Sequence, residues 1–243
     1  MAGKVPKMKL WYYPMYRSGR CVWLVKELGI EDQLELVTLP MEIQPPPPER
    51  EEYRQRVHPH STVPALEVEG QPPIIESAAI CLFLADLCGS LAPELGKRAE
   101  YYNWIIYSCC AMDEILVTLF HHWELLPPEK KDQQVLDKTS LRPRHAWTIE
   151  KTLEGREYIL GKEELTLLQH VPACLALLSS ESPLSALSQF SAADCMLGFN
   201  IWWANLKEMK GGILLEGRPN IQSYLARISA RPAMQEATNA KGK

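Results

Sequence analysis

The apolar residues in the first third of the chain follow the short period of strands in some stretches and the longer period of helices in others. Residues 9–13 and 34–39 are aromatic or apolar runs typical of strands, and residues 20–28 between them have the spacing of a helix. A strand, a helix and a second strand within about thirty residues predict a βαβ unit, whose strands are expected to be parallel.

A hairpin that leads into a helix is predicted next. Residues 65–68 and 74–75 are the two short strands, and Gly70 between them accepts the positive φ of a tight turn. An apolar helical run follows from Ser77. The connection before the hairpin, residues 41–53, contains four consecutive prolines and several charged residues, so it is interpreted as a stiff polar surface loop.

The rest of the chain is predicted to be helical. From residue 97 onward the apolar positions recur at helical spacing, with one long helix expected over residues 99–126. Residues 90–96, which include a proline and a glycine, mark the expected boundary. The predicted architecture is therefore α/β plus all-α, with one domain over residues 8–89 and an all-helical domain over residues 97–238.

Two local features of the second domain carry specific interpretations. Ser191 and Asp194 have the spacing of a helix capping box, so they are interpreted as a folding device and not as a catalytic pair. Residues 162–189 are rich in leucine and interrupted by prolines. One or two short amphipathic helices packed on the domain are expected there, with a partner-binding arm as the alternative.

Composition and charge narrow the function classes. The 243 residues are 46% hydrophobic and 23% charged, as in ordinary globular proteins, and the net charge of −4 argues against nucleic acid or an anionic membrane as partner. Charged residues interrupt every long apolar run, so no membrane span is expected. The seven cysteines include no Cys-x-x-Cys pair, which favours a reducing, cytoplasmic location, and no spacing of ligands predicts a metal site.

One stretch is suited to binding a short peptide that has a free carboxylate. Val63 precedes Pro64, which has no N–H, so a regular strand ladder cannot continue through that bond. The Val63 backbone is then available to an extended ligand by strand addition. Ser77 lies at a helix start, where unpaired N–H groups favour a carboxylate.

These residues resemble the glutathione-binding half of the cytosolic glutathione transferases. The matching motifs are Val-Pro-Ala-Leu at residues 63–66 and Glu-Ser-Ala-Ala-Ile at residues 76–80. Residues 16–28 are similar to a fungal and bacterial branch of that family, in which Ser-Arg-(Ser or Ala)-x-Arg precedes an apolar helix. The resemblance covers nearly all of residues 8–237 except residues 162–189, which form an insertion. It implies a thioredoxin-like first domain followed by a helical-bundle domain.

The resemblance also implies roles for residues of the first domain. The bond before Pro64 is expected to be cis, with the Val63 backbone paired to the cysteinyl unit of glutathione. Glu76 and Ser77 are expected to hold the γ-glutamyl end. The two further side chains that are expected near a glutathione carboxylate are His60 and Ser61.

The loop between the first strand and the first helix is where the glutathione thiol is expected. A helix start lowers the pKa of a thiol from about 8.5, because its N–H groups and dipole stabilise the thiolate. The first serine of the branch motif, often taken as the thiol-activating hydroxyl, is Tyr16 here. Either Tyr16 or Ser18 is therefore the candidate hydroxyl donor, with Arg17 assisting by charge. Ser18 is alternatively an N-cap of the helix.

The implied function is transfer of the glutathione sulfur to small hydrophobic electrophiles, a detoxification reaction. Glutathione is then a co-substrate, no other cofactor is expected, and the family implies a homodimer. An apolar pocket in the second domain is assigned to Tyr107 and Met112. The alternatives are a non-catalytic glutathione-transferase-like interaction protein and a glutathione-dependent peroxidase that uses the same site. Tyr16 in place of serine and the insertion at residues 162–189 favour the interaction protein.

Overall fold

The structure is a computed structural model that describes residues 6–14, 16–41, 47–140, 143–161, 190–209 and 215–239. The segment 162–189, for which short helices or a partner-binding arm are expected, lies outside the described residues. The strands are β1 (Met8–Tyr12), β2 (Leu34–Thr38), β3 (Ala65–Val68) and β4 (Ile74–Ile75). The helices are α1 (Gly19–Leu28), α2 (Pro48–Arg56), α3 (Ser77–Cys88), α4 (Ala99–Tyr107), α5 (Asp113–Phe120), α6 (Gln133–Ser140), α7 (Pro143–Thr152), α8 (Ala192–Ala204), α9 (Pro219–Ser229) and α10 (Pro232–Asn239).

The four strands form one mixed sheet in the order β2-β1-β3-β4. Strands β1 and β2 are parallel, as the strand–helix–strand pattern predicts, whereas β3 is antiparallel to both β1 and β4. The central strands pair Leu10 with Leu66, and both side chains are fully buried. This order of strands and helices is thioredoxin-like, so the predicted fold class of the first domain is confirmed, as is the helical region after it.

Helix α2 replaces part of the surface loop that is expected over residues 41–53. Proline is compatible with the first turn of a helix, and α2 begins at Pro48. Glutamates occupy its first turn and arginines its last, which suits the helix dipole. Tyr53 is buried beneath this polar surface. The loop prediction is therefore wrong for residues 48–53, because the proline run masks a helix that has only one strongly buried residue.

The long helix that is expected over residues 99–126 is present with two irregularities. Helices α4 and α5 are joined without a break by a π-helical turn, Ser108–Met112. A second π-helical turn, His121–Leu125, follows α5. Such turns add a residue to the hydrogen-bonded ring and rotate the side chains that follow, which a regular helical period does not reveal.

Among the described residues, one helical stretch, Ala99–Leu125, is long and apolar enough to cross a membrane by length and composition. The core helix of a soluble protein gives the same result, so the finding is weak evidence for a membrane span. The stretch carries Asp113 and Glu114 at its centre. Asp113 is buried within the protein.

Helix α8 begins with the predicted capping box. The Ser191 N–H and hydroxyl each donate to Oδ2 of Asp194 at 2.9 Å. The Ile159 N–H and the Tyr224 hydroxyl donate to its Oδ1 at 2.9 Å. Burial raises the pKa of the Asp194 carboxyl, and the four donors act in the opposite direction. The carboxyl thus links the start of α8 to the segments that contain Ile159 and Tyr224, so its interpretation as a folding device is confirmed.

The chain divides into two compact units, with the boundary between Ser90 and Leu91. The first unit also includes residues 228–239, because α10 packs on α1. Arg231 donates from two nitrogens to both carboxylate oxygens of Glu27 at 2.6 Å. The expected second domain, residues 97–238, includes α10, so the structure groups the C-terminal helix differently. Glu27 on α1 is 204 residues away from Arg231 in the sequence, so the local hydrophobic pattern does not predict that α10 packs on α1.

Candidate functional site

The backbone of Val63 lies at an interruption of the sheet. The Val63–Pro64 peptide bond is cis, as the resemblance implies, and strand β3 starts immediately afterwards at Ala65. Val63 is 8% exposed. Within the described part of the chain, neither its N–H nor its C=O forms a hydrogen bond to another protein group. The Val63 donor and acceptor are therefore suited to pairing with an extended ligand.

The start of α3 has a strained backbone. Glu76, directly before the helix, has φ +75° and ψ 123°. A positive φ is uncommon for a residue with a side chain and costs roughly 1–3 kcal/mol. The Glu76 side chain makes no cap hydrogen bond, although its carbonyl oxygen accepts from the Ile80 N–H at 3.0 Å. The N–H groups of the first turn, beginning at Ser77, can therefore bind a carboxylate, which the positive end of the helix also attracts.

Sheet register brings these two elements to one end of the sheet. Ala65 pairs with Ile75 across β3 and β4. Val63 and Ser77 each lie two residues outside that pair, in the same direction, because the strands are antiparallel. Ala65 also pairs with Trp11, next to the carboxyl end of β1. The loop that follows β1 therefore begins at the same end of the sheet.

That loop is closed by Ser18. The Ser18 hydroxyl donates to the Tyr13 carbonyl oxygen at 2.8 Å and accepts from the Tyr13 N–H at 3.1 Å. The side chain is fully buried and makes no cap hydrogen bond to α1. Ser18 occupies the predicted N-cap position, but its hydroxyl bonds the Tyr13 peptide instead of an N–H group of α1.

Tyr16 is the accessible hydroxyl-bearing residue of the same loop. It is 44% exposed, and its ring meets the Tyr13 ring edge-on with centroids 5.2 Å apart. No hydrogen bond joins its phenol to another described residue. Arg17 beside it is exposed as well. The structure therefore distinguishes the two candidate donors: the Ser18 proton is engaged by the protein, whereas the Tyr16 phenol is not.

The starts of α1 and α3 lie against each other. Cys21, in the first turn of α1, points its thiol at the Ser77 carbonyl oxygen, with the sulfur 3.7 Å from the oxygen. The Cys81 sulfur, one turn into α3, is 3.9 Å from the Cys21 sulfur. All three residues are buried. Two helix N-termini therefore converge beside the Val63 end of the sheet.

The segment before Val63 is held by His58, which no sequence motif marks as a binding residue. The His60 N–H donates to His58 Nδ1 at 3.2 Å, and His58 Nε2 lies 3.0 Å from Thr62 Oγ1. The Tyr53 hydroxyl donates to the Thr62 carbonyl oxygen at 2.6 Å. His58 is buried, and this burial, followed by the charge of His60, lowers the pKa of its imidazole.

His60 and Ser61, the two expected carboxylate contacts, lie in this segment. His60 is exposed, and Ser61 is half-buried with φ +53°. Arg50 donates from Nε to the Ser61 hydroxyl oxygen at 3.3 Å and from a terminal nitrogen to the Met41 carbonyl oxygen at 3.2 Å. Arg50 thus adds a positive charge beside Ser61. The sequence does not predict this contact, because the proline-rich, charged residues 41–53 are typical of a surface loop.

Tyr107 and Met112, the expected pocket residues, belong to the second unit. The Tyr107 hydroxyl lies 2.6 Å from His145 Nδ1, and burial raises the pKa of Tyr107 to about 12. Met112 is buried and lines a cavity of about 20 Å³. The other lining side chains include Ile115, Thr139, His145 and Ile149. A cavity of this size holds a single water and is too small for an organic electrophile.

Metal ligation has no support among the residues that the structure describes, where no group of three or more His, Cys, Asp or Glu side chains could hold an ion. The His58 and His60 rings lie 5.8 Å apart, but both ring nitrogens of His58 have partners within the segment. This end of the sheet offers backbone pairing at Val63, two helix N-termini and the exposed phenol of Tyr16.

Residues 17–87 match the family model described as glutathione S-transferase, N-terminal domain. This range contains α1, the cis bond and nearly all of α3. It therefore covers the elements that form the candidate site, apart from Tyr16. No curated protein matches the sequence.

Several solved structures are similar over almost the whole chain. A glutathione transferase family member from Pseudomonas fluorescens with two glutathione bound has a TM-score of 0.75 at 20% identity, covering 96% of this chain and 92% of its own. A glutathione transferase from Pseudomonas putida with glutathione disulfide bound has a TM-score of 0.76 at 15% identity, covering 98% and 93%. A theta-class enzyme from Xanthomonas axonopodis pv. citri with glutathione bound has a TM-score of 0.71 at 18% identity, covering 97% and 99%. At these identities the likeness is one of fold.

Proposed function

We propose that the protein conjugates glutathione to small hydrophobic electrophiles, because residues 17–87 match the model of a glutathione S-transferase N-terminal domain and the chain has the fold of glutathione transferases. The observation that supports this most strongly is the Val63 backbone, whose N–H and C=O form no hydrogen bond to another described residue. It lies at the same end of the sheet as the start of α3. A tripeptide with a free α-carboxylate needs both features.

Glutathione binds along the Val63 backbone in this proposal. The N–H and C=O of Val63 pair with the cysteinyl unit, as an added strand pairs with a sheet edge. The γ-glutamyl carboxylate accepts from Ser77 and from the first-turn N–H groups of α3, and the exposed Glu76 carboxylate accepts from the γ-glutamyl ammonium group. His60 and Ser61 lie on the other side of Val63 and bind the glycyl carboxylate.

The thiol is placed near the loop after β1 and is activated by Tyr16. A phenol that donates a hydrogen bond to the sulfur stabilises the thiolate and so lowers the thiol pKa. Arg17 adds positive charge nearby. Ser18 is the weaker donor because its proton is already donated to Tyr13. The thiolate then attacks an electrophilic carbon, a C–S bond forms, and the leaving group departs with the electron pair of the bond that breaks.

In this proposal Tyr107 and Met112 are apolar contacts of the electrophile, so its binding requires the cavity that Met112 lines, which holds a single water, to enlarge. Glutathione is the co-substrate, and the proposed reaction requires no further cofactor. We place the enzyme in the cytoplasm as a homodimer that acts in detoxification. The proposed domains remain residues 8–89 and residues 97–238, with the C-terminal helix α10 packed on the first.

One observation favours a second candidate function, a glutathione-binding protein without catalysis. The branch of the family that these residues resemble uses a serine where this chain has Tyr16, and the nearest serine, Ser18, is buried and engaged. If Tyr16 does not reach the sulfur, the domain retains a peptide site with no hydroxyl donor.

Parallel assays of conjugation and peroxide reduction test the proposal. Purified protein is incubated with glutathione and 1-chloro-2,4-dinitrobenzene, and separately with glutathione and cumene hydroperoxide. We expect glutathione-dependent conjugation above the uncatalysed rate. Peroxide reduction without conjugation would assign the peroxidase alternative, and binding of glutathione without either reaction would assign the non-catalytic one.

A further inference from the structure

The turn formed by residues 58–62, here called the His58 turn, carries the chain into Val63. It contains no helix or strand, and Ser61 within it has φ +53°. A positive φ is uncommon for a residue with a side chain, so the conformation must be imposed by surrounding contacts. The contacts that hold this turn therefore decide where the Val63 backbone lies.

His58 contributes hydrogen bonds from both ring nitrogens to this turn. The His60 N–H can only donate, so His58 Nδ1, 3.2 Å away, must accept and carries no proton. The remaining proton of the neutral ring is then on Nε2, which donates to Thr62 Oγ1 at 3.0 Å. The hydrogen-bond network thus selects the neutral Nε2–H tautomer.

We propose that His58 is a positioning residue for the glutathione site, whose neutral Nε2–H tautomer holds the turn that presents the Val63 backbone. The inference rests on the proposed function for the identity of the ligand. A protonated ring would carry a hydrogen on Nδ1 as well, facing the His60 N–H. That hydrogen bond would be lost, and the two N–H groups would repel each other.

The groups around His58 set the pH range of this effect. Burial and the His60 imidazole lower the pKa of His58, whereas the Glu76 carboxylate and a backbone hydrogen bond raise it, with a net lowering from 6.5. The Tyr53 ring packs nearby with its centroid 6.3 Å away, and Arg50 binds Ser61 within the turn. A lowered pKa in the folded turn means that its stability is complete above about pH 6.5 and is lost as the pH falls through the folded pKa.

Titration of the full-length protein with S-methylglutathione from pH 7.5 to pH 5.0 tests the inference. The methylated sulfur cannot ionise, and the ligand carboxylates stay charged throughout this range. We expect the Kd of the unaltered protein to rise about fivefold or more towards pH 5.0. In His58→Asn, the amide oxygen replaces Nδ1 as acceptor but does not titrate, so the Kd should change less than about twofold.

His121→Asn is the matched control, because His121 is an exposed histidine outside the candidate site. It should keep the rise in Kd at low pH. A rise that persists in His58→Asn at the size seen in the unaltered protein would overturn the inference. An unaltered protein whose Kd is flat with pH would also overturn it, while leaving the proposed function intact.

A second measurement does not depend on glutathione binding. Nitrogen-15 NMR of the histidine side chains at pH 7.5 should show His58 with a protonated Nε2 and an unprotonated Nδ1. The opposite tautomer, or a charged ring at this pH, would contradict the role in the turn. Absence of S-methylglutathione binding at pH 7.5, with the expected tautomer present, would instead overturn the proposed function.

Discussion

Two helix starts in this molecule are built in opposite ways. At the start of α8, the N–H and hydroxyl of Ser191 are both bonded to Asp194, whose carboxylate also accepts from two other segments. At the start of α3, Glu76 makes no side-chain cap hydrogen bond and has a positive φ of 75°. Both starts present N–H groups and a positive dipole end.

These two arrangements have different physical consequences. A start that is capped by its own buried side chains stabilises the fold and does not need a ligand to complete it. A start that is left uncapped, and that follows a strained residue, is costly unless a ligand completes it. Mutations at α8 should therefore change stability, and mutations at α3 should change glutathione affinity.

The largest effect is expected at Asp194. Asp194→Ala leaves four donors without an acceptor in a buried position, so the free energy of unfolding should fall by about 3–5 kcal/mol. Urea denaturation followed by circular dichroism measures this loss. Asp194→Asn keeps one acceptor oxygen and should lose less. A loss below about 1 kcal/mol for the alanine variant would show that the capping box does not hold the second unit together.

The start of α1 is the third helix start to compare, because the glutathione thiol is proposed to lie beside it. Tyr16→Phe removes the proposed hydroxyl donor, so kcat/KM for conjugation should fall about 100-fold while the fold is unaffected. Ser18→Ala removes a buried loop contact, so it should lower the free energy of unfolding by about 1–2 kcal/mol and leave the thiol pKa in the complex nearly unchanged. With glutathione at a saturating concentration, the pH dependence of kcat/KM for the electrophile measures that pKa. The reverse pattern would identify Ser18 as the activating hydroxyl.

Replacement of Glu76 separates strain from binding. Glu76→Gly relieves the positive φ and should raise the free energy of unfolding by about 1 kcal/mol, whereas Glu76→Ala keeps the strain and should not. Both variants lose the carboxylate, so both should bind glutathione about tenfold more weakly. Calorimetry and denaturation on the two variants check these outcomes. Unchanged affinity in both would remove Glu76 from the site.

The smallest effects come from a matched pair of serines. Ser77→Ala should weaken glutathione binding about tenfold, the equivalent of one hydrogen bond to a charged group, with little change in stability. Ser191→Ala should lower the free energy of unfolding by about 1 kcal/mol and leave the Kd for glutathione unchanged. If both serines affected the same property, the contrast between the two helix starts would be lost.

Local signals made much of this fold predictable. The strand–helix–strand pattern, the hairpin around Gly70 and the spacing of Ser191 and Asp194 each depend on residues close in sequence. Helix α2 was not predictable from its apolar pattern, because Tyr53 is its one strongly buried residue. The packing of α10 on α1 depends on the pair Arg231 and Glu27, which are 204 residues apart.

Some residues of the candidate site could likewise be predicted from the sequence, and others could not. The roles of Val63 and Ser77 could be predicted from short motifs. A proline interrupts the strand ladder directly after Val63, and a helix start at Ser77 leaves N–H groups unpaired. The engagement of Ser18 by Tyr13 and the role of His58 in its turn depend on loop conformations that no period or motif encodes. The burial of Met112 likewise depends on which face of a π-helical turn meets the core, since a π turn rotates the register.

Amide NMR of the full-length protein during a titration with glutathione tests the placement of the ligand most directly. We expect saturable shifts in the N–H signals of Val63 and of the first turn of α3 from Ser77, with none at the first turn of α8 from Ala192. Shifts confined to other parts of the chain, with the Val63 and Ser77 signals unmoved at saturation, would contradict binding along the Val63 backbone.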